Sequence, residues 1–98
     1  MQKLNTKQLA KKLKNEKINL IDVREPFEFL EGHIKGSINK PMSQLRQWKD
    51  ELDKNQTYHL ICRSGNRSGQ VGNLLAELGY KIYNVEGGIL AWENELEK

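Results

Sequence analysis

Short apolar runs and amphipathic stretches alternate along this chain. Three runs are rich in β-branched and aromatic residues: INLIDV (18–23), TYHLI (57–61) and KIYNV (81–85). Their length and continuous apolar character are typical of strands that are covered on both faces of a sheet. A further, very short strand is expected within GSINKP (36–41).

Helical spacing separates these predicted strands. Asn5 or Thr6 is the expected N-cap of a first helix over residues 6–14, and Pro26 suits the first position of a second helix that ends at Gly32. Three more helices are predicted from apolar stripes. The first is capped by Ser43 and carries Leu45, Trp48 and Leu52, and the second ends at Gly79 and carries Val71, Leu74, Leu75 and Leu78. The last has Ile89, Trp92 and Leu96 on a single face.

The alternation of strands and helices predicts an α/β fold. We expect a small, mainly parallel sheet of four or five strands, flanked by helices on both faces, because parallel strands need crossover connections. The length of 98 residues fits a single domain over 1–98. Ligands of such sheets bind beyond the carboxyl ends of the strands, and Cys62 follows one strand directly.

The charge of the chain is nearly balanced, since 16 Lys and Arg stand against 13 Asp and Glu, for a net charge of +3. The densest basic cluster (Lys7, Lys11, Lys12 and Lys14) has no interleaved aromatic residues, which favours a solvated helix face over a nucleic-acid site. The chain has no apolar run of about 18 residues that would span a membrane and no signal-peptide pattern. Together with the single cysteine, these features predict a cytoplasmic protein without membrane or nucleic-acid partners.

The segment after Cys62 has the composition of an anion-binding loop. Gly65 and Asn66 tolerate the backbone angles of a tight curl, and the helix that follows adds the positive end of its dipole. Arg63 and Arg67 bring formal charge. These features favour the thiolate, so we expect the pKa of Cys62 to lie below its ordinary value and Cys62 to act as a nucleophile. The predicted cradle comprises Arg63, Ser64, Gly65, Asn66, Arg67 and Ser68.

Three segments resemble the signatures of rhodanese-like sulfurtransferases. CRSGNRS (62–68) is similar to the active-site loop of that family, LIDVREPFEFLEGHIKGSINKP (20–41) to its first signature and YNVEGGILAW (83–92) to its C-terminal signature. The segments follow the family's order and span residues 20–92. The chain is therefore identified from its sequence as resembling a single-domain rhodanese.

The resemblance implies a thiosulfate sulfurtransferase. Cys62 would take the sulfane sulfur of a small-molecule donor, thiosulfate or a persulfide, and hold it as a persulfide. Cyanide or a cellular thiol, including a protein thiol, would then accept the sulfur, and no metal or organic cofactor is expected. Asp22 and Arg24 either support the loop or guide an anionic donor, or they form a structural ion pair, which we favour. Gly88 forms a turn, a wall of the site, or both.

Two other functions stay open at the level of sequence. Cysteine-dependent phosphatases, some of which share the rhodanese fold, carry five residues between cysteine and arginine, whereas this chain has four between Cys62 and Arg67. The shorter ring suits one added sulfur better than a phosphoryl group. A non-catalytic binding or regulatory module is the second alternative, which the presence of Cys62 weakens.

Overall fold

Five parallel strands form one sheet, which confirms the predicted α/β class. The computed structural model describes residues 1–98. Its strands are β1 (Gln2–Leu4), β2 (Asn19–Asp22), β3 (Ile38–Asn39), β4 (Thr57–Ile61) and β5 (Lys81–Val85). They lie in the order β1-β5-β4-β2-β3, and every neighbouring pair is parallel. The strand that leads into Cys62 is therefore at the centre of the sheet.

Both faces of the sheet are covered. The helices are α1 (Thr6–Asn15), α2 (Pro26–Glu31), α3 (Leu45–Trp48), α4 (Asn66–Glu77) and α5 (Gly88–Ala91). Leu60 belongs to a core cluster that includes Leu75 of α4, whereas its neighbour Ile61 belongs to a second cluster that includes Leu9 of α1. Because successive strand residues point to opposite faces, a strand with two covered faces needs consecutive apolar residues, as the sequence has.

The ends of two helices follow their predicted signals. Asn5 is the N-cap of α1, where its side chain accepts from the Gln8 amide and the Gln8 side chain accepts from the Asn5 amide, both at 2.8 Å. After α4, Gly79 adopts φ +97°, a left-handed conformation that glycine adopts with little strain. None of the helices has the length and apolar character needed to cross a bilayer.

The predicted Ser43 cap is wrong. Ser43 lies inside a 3-10 turn, Met42–Gln44, and its hydroxyl donates to Glu25 Oε1 at 2.7 Å instead of capping a helix. The helix that follows is the four-residue α3, and a second 3-10 turn, Lys49–Glu51, carries the chain onward. Trp48 and Leu52 are still buried as the apolar pattern predicts, so burial holds without a continuous helix.

The predicted C-terminal helix is also shorter than its apolar pattern. Trp92 already has extended backbone angles, and Leu96 is not on a helix. Two backbone hydrogen bonds between Glu97 and His33, of 2.8 and 2.9 Å, hold the chain end against the segment after α2. The short edge strand β1 was not predicted, because only Leu4 among its three residues is buried.

Candidate active site

The Cys62 loop connects the central strand β4 to α4. Gly65 is the N-cap of α4 at φ +99°, a left-handed conformation that a side chain would strain. This turn directs the start of α4 back to the cysteine. The Gly65 amide donates to Cys62 Sγ at 3.1 Å, and the amide and hydroxyl of Ser68 lie 3.4 and 3.3 Å from the same sulfur.

These donors decide the ionisation of Cys62. Burial is the largest single influence and disfavours the charged thiolate. The hydroxyl of Ser68 and the amides of Ser68, Gly65 and Ser64 favour it, and together they outweigh burial, so the pKa of Cys62 lies below its ordinary value. The loop therefore favours a nucleophilic sulfur at this position.

The sulfur is covered in this conformation. Cys62 has 0 % relative exposure and packs in the same core cluster as Val71 of α4. A cavity of about 500 Å³, lined by Leu13, Lys17 and Asn19 among others, lies at the amino end of β2. Cys62 is not among the residues that line it.

The loop also carries donors that the protein itself does not use. The backbone amides of Arg63, Asn66 and Arg67 have no hydrogen-bond acceptor within the chain. Two of these amides belong to the first turn of α4, where the helix dipole adds positive potential. Such amides are suited to an anion bound next to the sulfur.

The two arginines of the loop differ in their partners. Arg67 makes two hydrogen bonds to the carboxylate of Glu28 on α2, from Nη1 to Oε1 at 2.7 Å and from Nη2 to Oε2 at 2.8 Å. Arg63 is exposed and has no ion-pair partner. Arg67 therefore holds the start of α4 against α2, while Arg63 is free to meet a charged molecule from solvent.

Asp22 and Arg24 form a buried ion pair. Arg24 Nη2 lies 2.9 Å from Asp22 Oδ2, and Arg24 also donates to the Gly32 carbonyl oxygen at 2.7 Å. Asp22 Oδ1 in turn accepts from the Arg24 amide at 3.0 Å. Neither side chain is hydrogen-bonded to the Cys62 loop, so the pair orders the end of β2 and the segment after α2.

Gly88 closes the other side of the loop. The amides that follow it, of Ile89 and Leu90, donate to the carbonyl oxygens of Cys62 and Arg63, each at 3.0 Å. A Cβ at Gly88 would lie 2.5 Å from the Arg63 oxygen and closer still to the Cys62 oxygen. Only glycine permits this close approach, which makes the start of α5 a wall of the loop.

Two residues beside the loop were not among the predicted ones. Glu28 pairs with Arg67, and Asn84 on β5 accepts from the Ser68 hydroxyl at 2.6 Å and donates to the Gly65 carbonyl oxygen at 3.2 Å. Glu28 is one of several carboxylates around α2, and Asn84 lies inside an apolar strand, so no local pattern marks either.

No group of three or more His, Cys, Asp or Glu side chains is arranged to hold a metal ion.

The protein is thus of the α/β class, with a cysteine directly after the central strand of a parallel sheet and with the amides of Gly65 and Ser68 directed at its sulfur. Residues 5–95 match the family model of the rhodanese-like domain. The chain belongs to the rhodanese-like domain family.

Relatives and solved structures agree with this assignment. The chain is 42 % identical over 96 residues to the Bacillus subtilis (strain 168) protein named "Putative sulfurtransferase YtwF", covering 97 % of this chain and 93 % of that protein. The thiosulfate sulfurtransferase PspE of Escherichia coli (strain K12) is 35 % identical over 71 residues, 70 % of this chain and 68 % of PspE. The crystal structure of SSP1007 from Staphylococcus saprophyticus superposes with a TM-score of 0.94 at 32 % identity, covering 100 % of both chains.

Proposed function

We propose that this protein is a sulfurtransferase that carries sulfane sulfur on Cys62, from a donor such as thiosulfate to a thiophilic acceptor. The observation that carries the proposal is the convergence of the Gly65 and Ser68 amides on the cysteine sulfur, at 3.1 and 3.4 Å. The sulfurtransferase names of several relatives support the same chemistry.

The reaction has two displacement steps. In the first, the Cys62 thiolate attacks the outer sulfur of thiosulfate, a bond forms between Sγ and that sulfur, and sulfite leaves with the electron pair of the broken S–S bond. In the second, cyanide or a thiolate attacks the outer sulfur of the persulfide and the Cys62 thiolate leaves. Because the chain has one cysteine, the accepting thiol belongs to another molecule.

The persulfide ends in a negatively charged sulfur, which needs donors around it. The amides of Arg63, Asn66 and Arg67, which have no acceptor in the chain, are suited to this charge. Arg63 is exposed, and its positive charge favours the approach of an anionic donor such as thiosulfate. We assign Ser64 and the remaining loop residues to the same cradle.

The phosphatase alternative is disfavoured by the position of Arg67. A guanidinium that clamps a phosphoryl group must present its N–H fork to the group. In this protein, both ends of the Arg67 fork donate to Glu28, at 2.7 and 2.8 Å. Binding a phosphoryl group with Arg67 would therefore break a bidentate ion pair.

Intact mass spectrometry tests the proposal. After thiosulfate treatment, the wild-type protein should gain the mass of one sulfur, and cyanide should remove it with release of thiocyanate. Cys62→Ser should show no gain and no turnover, because a hydroxyl does not form a persulfide. Circular dichroism of Cys62→Ser establishes that its fold is intact.

Other results would contradict the proposal in distinct ways. A sulfur gain in Cys62→Ser would place the sulfur elsewhere, and no gain in the wild type would favour the non-catalytic module. Hydrolysis of an aryl phosphate by the wild type but not by Cys62→Ser would favour the phosphatase.

A further inference from the structure

Asn84 connects the Cys62 loop to the neighbouring strand β5. It is buried, with 6 % relative exposure. Its Nδ2 donates to the Gly65 carbonyl oxygen at 3.2 Å, and its Oδ1 lies 2.6 Å from Ser68 Oγ. Because a carbonyl oxygen only accepts, the bond to Gly65 requires the NH₂ end of the amide on that side. The Oδ1 end of the Asn84 amide, which accepts hydrogen bonds, therefore faces Ser68.

The Ser68 hydroxyl has one proton and two acceptors within reach. Asn84 Oδ1 lies 2.6 Å from Ser68 Oγ, and Cys62 Sγ lies 3.3 Å from it. Ser68 is fully buried, with 0 % exposure, so bulk water does not compete for the proton. A donor with one hydrogen serves one of these acceptors well at any moment.

We propose that Asn84 is a positioning residue that competes with the Cys62 sulfur for the single hydroxyl proton of Ser68. This inference rests on the proposed function of Cys62 as a sulfur carrier and extends it. An uncharged sulfur is a weak acceptor, whether it is a thiol or the inner sulfur of a persulfide. In those states, the Ser68 proton stays with Asn84.

A thiolate changes the competition. A hydrogen bond to a charged acceptor is about twice as strong as one to a neutral acceptor, which favours rotation of the Ser68 hydroxyl toward the sulfur. That rotation leaves Asn84 Oδ1 without a donor in a buried position, which is unfavourable. Asn84 thus reduces the stabilisation that Ser68 gives to the thiolate, and it keeps the hydroxyl paired whenever the charge has moved to the outer sulfur.

Removing the competing acceptor should increase thiolate formation. In Asn84→Val, the Ser68 proton has only the sulfur to donate to, while the Gly65 carbonyl oxygen still accepts from the Gly69 amide at 3.1 Å. We expect the ratio of thiolate to thiol, at a pH below the midpoint, to rise about tenfold, because the variant removes the penalty for leaving one buried acceptor, Asn84 Oδ1, unpaired. Ultraviolet absorbance of the thiolate during a pH titration measures this ratio, and subtraction of Cys62→Ser removes the other absorbing groups.

Three comparisons separate the competition from a general disturbance of the loop. Asn84→Asp keeps an acceptor for Ser68 and adds negative charge, so the thiolate ratio should fall. Asn73→Val makes the same substitution at an exposed position of α4 and should leave the ratio unchanged. Ser68→Ala should lower the ratio more in the Asn84→Val background than in the wild type, because only in that background does Asn84 not compete with the sulfur for the Ser68 proton.

An unchanged or lowered ratio in Asn84→Val, or equal effects of Ser68→Ala in both backgrounds, would overturn the inference. If Asn84→Val does not fold, a raised ratio in Asn84→Asp would overturn it instead. The titration needs no sulfur donor. A wild-type protein that titrates as expected but takes up no sulfur therefore refutes the proposed function and leaves the competition for the proton standing.

Discussion

Glu28→Gln tests the link between α2 and the Cys62 loop. The substitution keeps the length of the side chain and an oxygen that accepts from the Glu25 amide, a bond of 3.0 Å in the wild type. It removes the negative charge that Arg67 pairs with at 2.7 Å. The helix cap should therefore survive, and the ion pair alone should be lost.

The pKa of Glu28 indicates the size of the effect. The hydrogen bonds from Arg67 are the main cause that lowers it, burial opposes them, and the Glu25 amide and the charges of Arg67 and Arg24 lower it further, from an ordinary 4.5 to about 2. One pKa unit corresponds to about 1.4 kcal/mol, so the full shift is equivalent to about 3 kcal/mol of folding stability. Because the Arg67 side chain is 33 % exposed, solvent screens the pair, and we expect a loss of about 1–2 kcal/mol.

The pH dependence has a definite sign. A carboxylate whose pKa is lowered by folding stabilises the folded protein above its unfolded pKa, and the stabilisation is lost as the pH falls through the folded value. For Glu28 this window runs from 4.5 down to about 2. The free energy of unfolding of the wild type should therefore decrease more steeply across this window than that of Glu28→Gln.

Urea unfolding at several pH values measures both quantities. Glu31→Gln is the matched control, because Glu31 lies on the same helix, is exposed and has no ion-pair partner. It should leave the stability near that of the wild type. Equal stability of Glu28→Gln and the wild type at neutral pH, with parallel pH profiles, would refute the reasoning.

Four further substitutions, with Arg63→Ala as a comparison, test the neighbouring contacts. Arg67→Ala should lower sulfurtransferase turnover more than Arg63→Ala, because only Arg67 holds the loop to α2, and the reverse ranking would contradict that role. Gly88→Ala should reduce the free energy of unfolding by about 2 kcal/mol or more in urea, since its Cβ would overlap the Arg63 oxygen; an unchanged value would mean that α5 shifts freely. Asp22→Asn should lower the free energy of unfolding by about 3 kcal/mol in the same assay, because it leaves the Arg24 charge buried without a charged partner. A loss under 1 kcal/mol would show that the hydrogen bond to the Gly32 carbonyl oxygen is enough to stabilise the buried Arg24.

The sequence predictions succeeded where the stabilising interactions join residues that are close together along the chain. The strands at 57–61 and 81–85 were recognisable because a strand covered on both faces must be apolar throughout, and the Asn5 cap because its partner Gln8 lies three residues away. The last helix was predicted too long because its apolar spacing continues to Leu96, whereas the helix ends at Ala91 and residue 97 pairs with His33. Local patterns hold until a distant contact competes with them.

The sequence by itself determined the alternation of strands and helices and the position of the one thiol at the end of a strand, because both follow from the periodicity of neighbouring residues. It also carried the composition of the loop that surrounds the sulfur. Only the tertiary structure decided that Arg67 pairs with Glu28, 39 residues away, and that the Ser68 hydroxyl lies within hydrogen-bond distance of both Asn84 and Cys62. Those contacts depend on the order of the parallel strands, which brings β2 and β5 to either side of β4, and no local spacing records that order.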